Sequence, residues 1–364
     1  MRMSEPKLRV LHSLHQGGGS GSVQSVLRIA LGIAARGHEV ALVCPPESEI
    51  ERDARAGGLA VYPIPLARGG RLGNARALAQ LLTQHPVDIV NAHGSRDREA
   101  FTWLGLTRRL SVPLVITRHS YPRTALLENL LASLVATRVI AFSEPVAEVL
   151  AGRGTARHKL RVVHGGVMLD RIDRPVLATE LEEWRARIGW EPSRRTVGIV
   201  ARPKDQDVVL SALASLQTPV RLVLVGLSGD ALTRPLPPMP ARHVVVRLPF
   251  LPEIRPLYDL LEVALHPSRW DAFPQAVLEA MALGKPVIAS NATGNAVIIQ
   301  NEVNGLLVAP TDPAAWAAAL DRVLTDTALA ARLGAAAVRR SRDDFPLQRT
   351  IDRTIAVYRE ALAC

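Results

Sequence analysis

Two acids close the ends of Asp271-Ala-Phe-Pro-Gln-Ala-Val-Leu-Glu279. Pro274 between them suits the first turn of a helix. The free backbone N–H groups around Ala272–Ala276, including those of Phe273 and Gln275, would then face an anion. Glu279 falls early in the same helix. There its carboxylate accepts hydrogen bonds from paired hydroxyls such as those of a ribose. An acid in a turn and an acid in a first helical turn also serve structure alone, so spacing by itself leaves both readings open.

Three other segments carry chemistry-bearing residues. Gln16-Gly17-Gly18-Gly19-Ser20-Gly21 follows an apolar run and leads into a helical stretch. Glycines let a backbone approach a phosphate; a flexible turn is the alternative. Gln24 stands where a dinucleotide fingerprint needs Gly or Ala, which counts against a nicotinamide oxidoreductase. No Gly-Lys-Ser/Thr of a P-loop follows either. His93, in Asn91-Ala-His-Gly-Ser-Arg96, and His119, in Thr117-Arg-His-Ser120, each close an apolar run. Either ring suits hydrogen bonding to a hydroxyl or moving a proton, and either alone would more often be structural. Arg202 and Lys204, in Ala201-Arg-Pro-Lys204, offer a diphosphate clamp; a solvated basic turn is the alternative.

The elements that must position these residues alternate. Short apolar runs at 8–14, 39–44, 60–64, 88–91, 114–117, 139–142 and 160–163 are separated by helical stretches, and 196–200, 221–225, 243–248, 263–266, 286–289 and 306–308 repeat the pattern. This predicts α/β architecture with two doubly wound parallel sheets. A polar break near 170–191 divides the series. The expected domains are 1–174 and 175–345, with a terminal helix at 346–364. Leu347, Ile351, Ile355, Tyr358 and Leu362 form one stripe on that helix and predict that it packs.

The chain of 364 residues is 48% hydrophobic, enough for two cores. Two distant cysteines, Cys44 and Cys364, build neither a disulfide framework nor a metal cluster and suit a reducing, cytoplasmic setting. No run of about 18 uncharged apolar residues predicts a spanning helix. Before position 175 there are 23 basic and 14 acidic residues, so nearly all of the net charge of +10 lies in the first half. That excess predicts attraction to an anionic partner such as a membrane surface, or reflects arginine used for solubility. No nucleic-acid partner is expected.

The segment Trp270-Asp-Ala-Phe-Pro-Gln-Ala-Val-Leu-Glu-Ala-Met-Ala-Leu-Gly-Lys-Pro286 resembles the signature of family 4 retaining glycosyltransferases. Ala34–Val40, His164–Asp170 and Val303–Val308 extend the resemblance over almost the whole chain. It implies the GT-B fold: two Rossmann-like domains facing across a cleft, with the terminal helix crossing back onto the first. It also implies a nucleotide diphosphate sugar as donor substrate, a hydroxyl acceptor, and no cofactor or metal, while the basic first half suggests that this acceptor is a lipid-linked or lipopolysaccharide-type glycan.

Carried over to this chain, Glu279 would bind the ribose. Asp271 and His93 would lie near the transferred sugar, and Ala272–Gln275 would contact sugar and phosphate. Gly17, Gly18 and Gly19 would border the diphosphate, Phe250 the base, and Arg202 and Lys204 the leaving group. Three departures stand out. Asp271 replaces the family Glu and is about 1.5 Å shorter, one bond. Val297 replaces a second Glu. Arg202 and Lys204 are unusually close in sequence. Asp271 and Val297 motivate the alternative of a catalytically inactive sugar-nucleotide-binding protein.

Overall fold

The computed structural model describes residues 6–18, 20–121 and 126–364. The chain divides into two units, Met1–Gly165 with Leu347–Cys364, and Gly166–Pro346. The first holds strands β1 (Arg9–Ser13), β2 (Glu39–Cys44), β3 (Ala60–Pro63), β4 (Ile89–Ala92), β5 (Leu114–Arg118), β6 (Arg138–Ala141) and β7 (Leu160–Val162). They form a parallel sheet in the order β3-β2-β1-β4-β5-β6-β7. Val10, Leu11, Leu42, Val43, Ile89 and Val90 are buried on consecutive positions. A parallel sheet covered on both faces requires such unbroken apolar runs.

Helices complete the layers. The helix Gly21–Ala35 starts at Ser20, whose hydroxyl accepts from the Val23 N–H, and buries Val23, Val26, Leu27, Ala30 and Ile33. The terminal helix Leu347–Leu362 belongs to this unit and buries Ile351, Ile355 and Tyr358. Its stripe recurs every three or four residues, which puts those side chains on one face.

The second unit holds β8 (Arg195–Val200), β9 (Val220–Leu227), β10 (Val244–Pro249), β11 (Val263–His266), β12 (Val287–Ser290) and β13 (Leu306–Val308). Their order is β10-β9-β8-β11-β12-β13, again parallel. The core packs these strands against Trp316, Leu320 and Leu333 of the following helices. Each unit is thus a Rossmann-like layer structure.

The polar stretch near 170–191 is more structured than its composition suggests. It contains the helix Ala178–Ile188, which ends on Gly189 at φ 62°. Glu180 accepts from the Leu177 N–H at the helix start. Trp184 and Ile188 alone are buried, so the apolar period is too thin to read. Burying those two side chains contributes roughly 2 kcal/mol each.

In both sheets the strand order reverses beside the first strand, at β1/β4 and at β8/β11. Open parallel sheets receive ligands at the C-terminal strand ends of such a point.

Candidate functional site

In the second unit, β8 leads into Arg202–Lys204 and β11 into the turn that holds Asp271. The Lys204 ammonium lies 3.0 Å from Asp271 Oδ2, and His266 Nε2 lies 3.3 Å from the same oxygen. Burial opposes ionisation of Asp271, but the hydrogen bonds and charges of His266 and Lys204 outweigh it and hold the carboxyl at about 2. Asp271 is therefore an anion at neutral pH, with its charge already partnered.

The backbone around this acid is fixed from a neighbouring turn. The Asp271 carbonyl accepts from the Thr293 hydroxyl at 2.9 Å and the Gly294 N–H at 2.8 Å. A Cβ at Gly294 would run into the Ala272 carbonyl, so only glycine fits. A further tie comes from Asp205, whose carboxylate accepts from the Arg269 backbone N–H and its Nε, each at 2.9 Å. Gln206 Nε2 donates to the Arg202 carbonyl at 2.9 Å and its Oε1 accepts from the Lys204 N–H, bracing that loop.

The helix Gln275–Ala282 follows Pro274 with no side-chain cap. Pro274 is the N-cap itself, one position before the first turn, and the first-turn N–H groups are left without a side-chain partner. The side chains of Ala272, Phe273 and Pro274 are buried, and Phe273 meets Phe345 edge-on at 5.3 Å. Those residues offer a ligand backbone only. Gln275 has a buried amide nitrogen without a partner. Glu279 is half-buried. It stands close enough to Tyr258 that burial and the Glu279 charge together push the phenol well above its usual range. Arg202 is exposed, and Phe250, just after β10, is 48% exposed. Val297 is half-buried. The structure therefore gathers Lys204 and Asp271 at one turn, with Ala272–Gln275 leading from it into the helix that carries Glu279. His266, Asp205, Gln206 and Thr293 escaped the sequence reading. His266 alone had a local signal, since it ends β11 five residues before Asp271.

The first unit is organised differently. Gly17 and Gly18 follow β1. A Cβ at Gly17 would come within 2.8 Å of Ser48 Cβ, and one at Gly18 would strike Glu49, so packing accounts for both glycines. Gly19 lies outside the described residues. Asp97 is buried and accepts from the His93 and Gly94 N–H groups at 2.9 and 2.7 Å. Its other oxygen meets His15 Nδ1 at 2.9 Å, which fixes the turn after β4.

On that turn, His93 is the middle of a buried chain. His93 Nε2 lies 2.8 Å from His12 Nδ1, and His93 Nδ1 lies 2.9 Å from His119 Nε2. Both of its ring nitrogens are therefore engaged, and His119 is the outer end. His12 Nε2 lies 3.4 Å from the Tyr358 hydroxyl. Asn91 Nδ2 donates to that hydroxyl at 2.7 Å, and Thr117 donates to Asn91 Oδ1 at 2.9 Å. Burial pushes His12 and His119 down to about 3, and burial with its two neighbours pushes His93 well below the usual imidazole range. His12 and Asn91 were not singled out by sequence, and Tyr358 only as a packing residue of the terminal helix. His12 and Asn91 meet through the β1–β4 register, which one chain in isolation does not display.

Two further features belong to this unit. Burial pushes the Arg118 guanidinium down to about 9, near Arg98, whose Nη2 donates to Glu128 at 3.0 Å. The helix Leu126–Val135 leaves Leu126, Leu127, Leu130 and Leu134 exposed. Among the described residues no helix is long and apolar enough to cross a membrane.

Comparison with known proteins follows the same division. Residues 19–171 match the family profile described as Glycosyltransferase Family 4, and residues 182–340 the one described as Glycosyl transferases group 1. The D-inositol 3-phosphate glycosyltransferase of Salinispora arenicola is 30% identical over 338 residues, covering 80% of this chain and 72% of the relative. The protein of that name from Rhodococcus jostii is 31% identical over 71% of this chain, which spans 63% of that relative's length. Among solved structures, Anabaena Alr3699/HepE in complex with UDP and glucose superposes with a TM-score of 0.81 at 21% identity, covering 96% of this chain and 98% of that one.

Proposed function

The chain belongs to glycosyltransferase family 4, and from that premise we propose that it moves a sugar from a nucleotide diphosphate sugar to a hydroxyl acceptor with retention of anomeric configuration. The observation that carries this reading is the Lys204–Asp271 pair, 3.0 Å apart, set beside the uncapped first turn at Gln275. Cation and uncapped N–H groups together suit a diphosphate. The UDP and glucose in the Anabaena neighbour support the same class of donor.

In this reaction the anomeric C–O bond to the diphosphate breaks as the acceptor oxygen bonds to the same face. The acceptor proton passes to the departing phosphate oxygen. Lys204, Arg202 and the helix N-terminus offset the charge that grows on the diphosphate, so neither metal nor cofactor is required. Asp271 orients the donor sugar, the Ala272–Gln275 backbone holds sugar and phosphate, Glu279 binds the ribose, and Phe250 borders the base. In the first unit, His119 meets a substrate hydroxyl, and His93, with both ring nitrogens engaged, acts through it. Binding energy here is spent on orientation.

The acceptor reading is a lipid-linked or cell-envelope glycan, met from the cytoplasmic side at an anionic membrane surface. The exposed leucines of the helix Leu126–Val135 and the basic excess before position 175 support it. Product configuration by NMR, after incubation with UDP- and GDP-sugars, tests the reaction. A retained linkage is expected, an inverted one overturns the mechanism, and binding without turnover for any donor overturns the assignment as an enzyme.

A further inference from the structure

The buried chain in the first unit has a direction. Thr117 is buried, and its hydroxyl has one hydrogen-bond partner among the described residues, Asn91 Oδ1. Donation from Thr117 leaves the Asn91 amide nitrogen to donate to the Tyr358 oxygen. With that oxygen accepting, the Tyr358 O–H is directed to its other neighbour, His12 Nε2. An imidazole that accepts at Nε2 and is neutral carries its single proton on Nδ1. His12 Nδ1–H then donates to His93 Nε2, and His93 Nδ1–H donates to His119 Nε2. The last proton stands on His119 Nδ1, which is buried and has no partner. The opposite polarity would flip the Asn91 amide and leave the buried Thr117 proton without an acceptor. An unmade buried hydrogen bond costs about 1–3 kcal/mol.

We propose that this relay fixes His119 as an Nδ1–H donor to an oxygen of the bound substrate, and that Tyr358 and His12 are positioning residues acting through it. Tyr358 stands on the terminal helix and His12 on β1, 346 positions apart in the chain. The terminal helix thus sets the proton position of a ring it does not touch. Neutrality is part of the device: burial keeps all three rings uncharged at neutral pH, so each carries one proton and the order propagates. The substrate oxygen rests on the glycosyl-transfer reading, but the proton order does not.

The test is long-range 1H–15N correlation NMR on the full chain labelled with 15N-histidine, at neutral pH and without substrate. Expected are protonated Nδ1 and unprotonated Nε2 at His12, His93 and His119. Nε2–H at any of the three overturns the proposal. Tyr358→Phe should shift the His119 signals toward the Nε2–H form and lower kcat/KM about tenfold, the size of one neutral hydrogen bond. Unchanged His119 signals in a folded Tyr358→Phe protein also overturn it. Should that variant fail to fold, the near-isosteric Thr117→Val releases the Asn91 amide and should shift His119 in the same direction; no shift there counts against the relay. The NMR readout needs no turnover, so failure of the relay is distinct from failure of the glycosyltransferase assignment.

Discussion

In the first unit, three imidazoles and a phenol lie in mutual hydrogen-bond contact, and burial keeps His12 and His119 near 3, as neutral rings. In the second, Lys204 and His266 converge on Asp271, and the carboxyl is held at about 2, as an anion. Both clusters sit at the C-terminal strand ends where the sheet order reverses. The same fold position therefore serves two electrostatic purposes. A neutral relay fixes where protons lie without adding charge. A paired carboxylate and ammonium give fixed charges that can be re-aimed when a diphosphate arrives. The first suits orientation of hydroxyls, and the second suits a leaving group that gains charge.

The contrast can be broken most severely at Asp271. Asp271→Asn keeps the shape and removes the charge, and transfer should fall on the order of 10²–10³-fold, the scale of losing one preorganised electrostatic group. Initial rates at saturating donor check this; a change under threefold would mean the pair is structural. Glu279→Gln should weaken donor binding by about 10- to 100-fold, since a hydrogen bond to a charged group is worth about 1.5–3 kcal/mol. A KM for donor that stays put would remove Glu279 from the ribose.

Acid sharpens the contrast. A ring whose folded pKa is depressed binds a proton more readily when unfolded, so its burial costs stability as pH falls below the unfolded value of about 6.5. At pH 5.5 each neutral ring should shift the unfolding equilibrium by about tenfold. Asp271, depressed from 3.8 to about 2, loses its contribution only as pH falls through that lower window. Hydrogen exchange between pH 7 and 5 should therefore show the first unit losing protection before the second. Simultaneous loss would contradict the neutral relay. The smallest effect belongs to the exposed face of the helix Leu126–Val135. Leu127→Ser should change stability by less than about 0.5 kcal/mol while reducing sedimentation with anionic vesicles. Unchanged sedimentation would remove that face from the membrane reading.

Legibility in the sequence followed the range of the interactions. The strands 39–44, 263–266 and 306–308 and the helix Leu347–Leu362 agree with their structural bounds, because apolar period and local turns set them. The helix Ala178–Ile188 was hidden, since Trp184 and Ile188 are its only buried side chains. The turn around Asp271 was visible as wording, but the Thr293 and Gly294 contacts that hold it arise more than 20 positions away. Val297 stands eight positions before Gly305, where the family resemblance implies a glutamate. His93 and His119 were visible as strand-end histidines. Their connection through His12 to Tyr358 was not, because strand register and a returning terminal helix create it.

Calorimetric titration of UDP- and GDP-sugars into the full chain and its Glu279→Gln variant decides whether this helix holds a nucleotide-sugar donor. Saturable one-site binding of at least one nucleotide diphosphate sugar, weakened about 10- to 100-fold in the variant, is the predicted result. Absence of binding by every donor, or equal affinity in the two proteins, would contradict it.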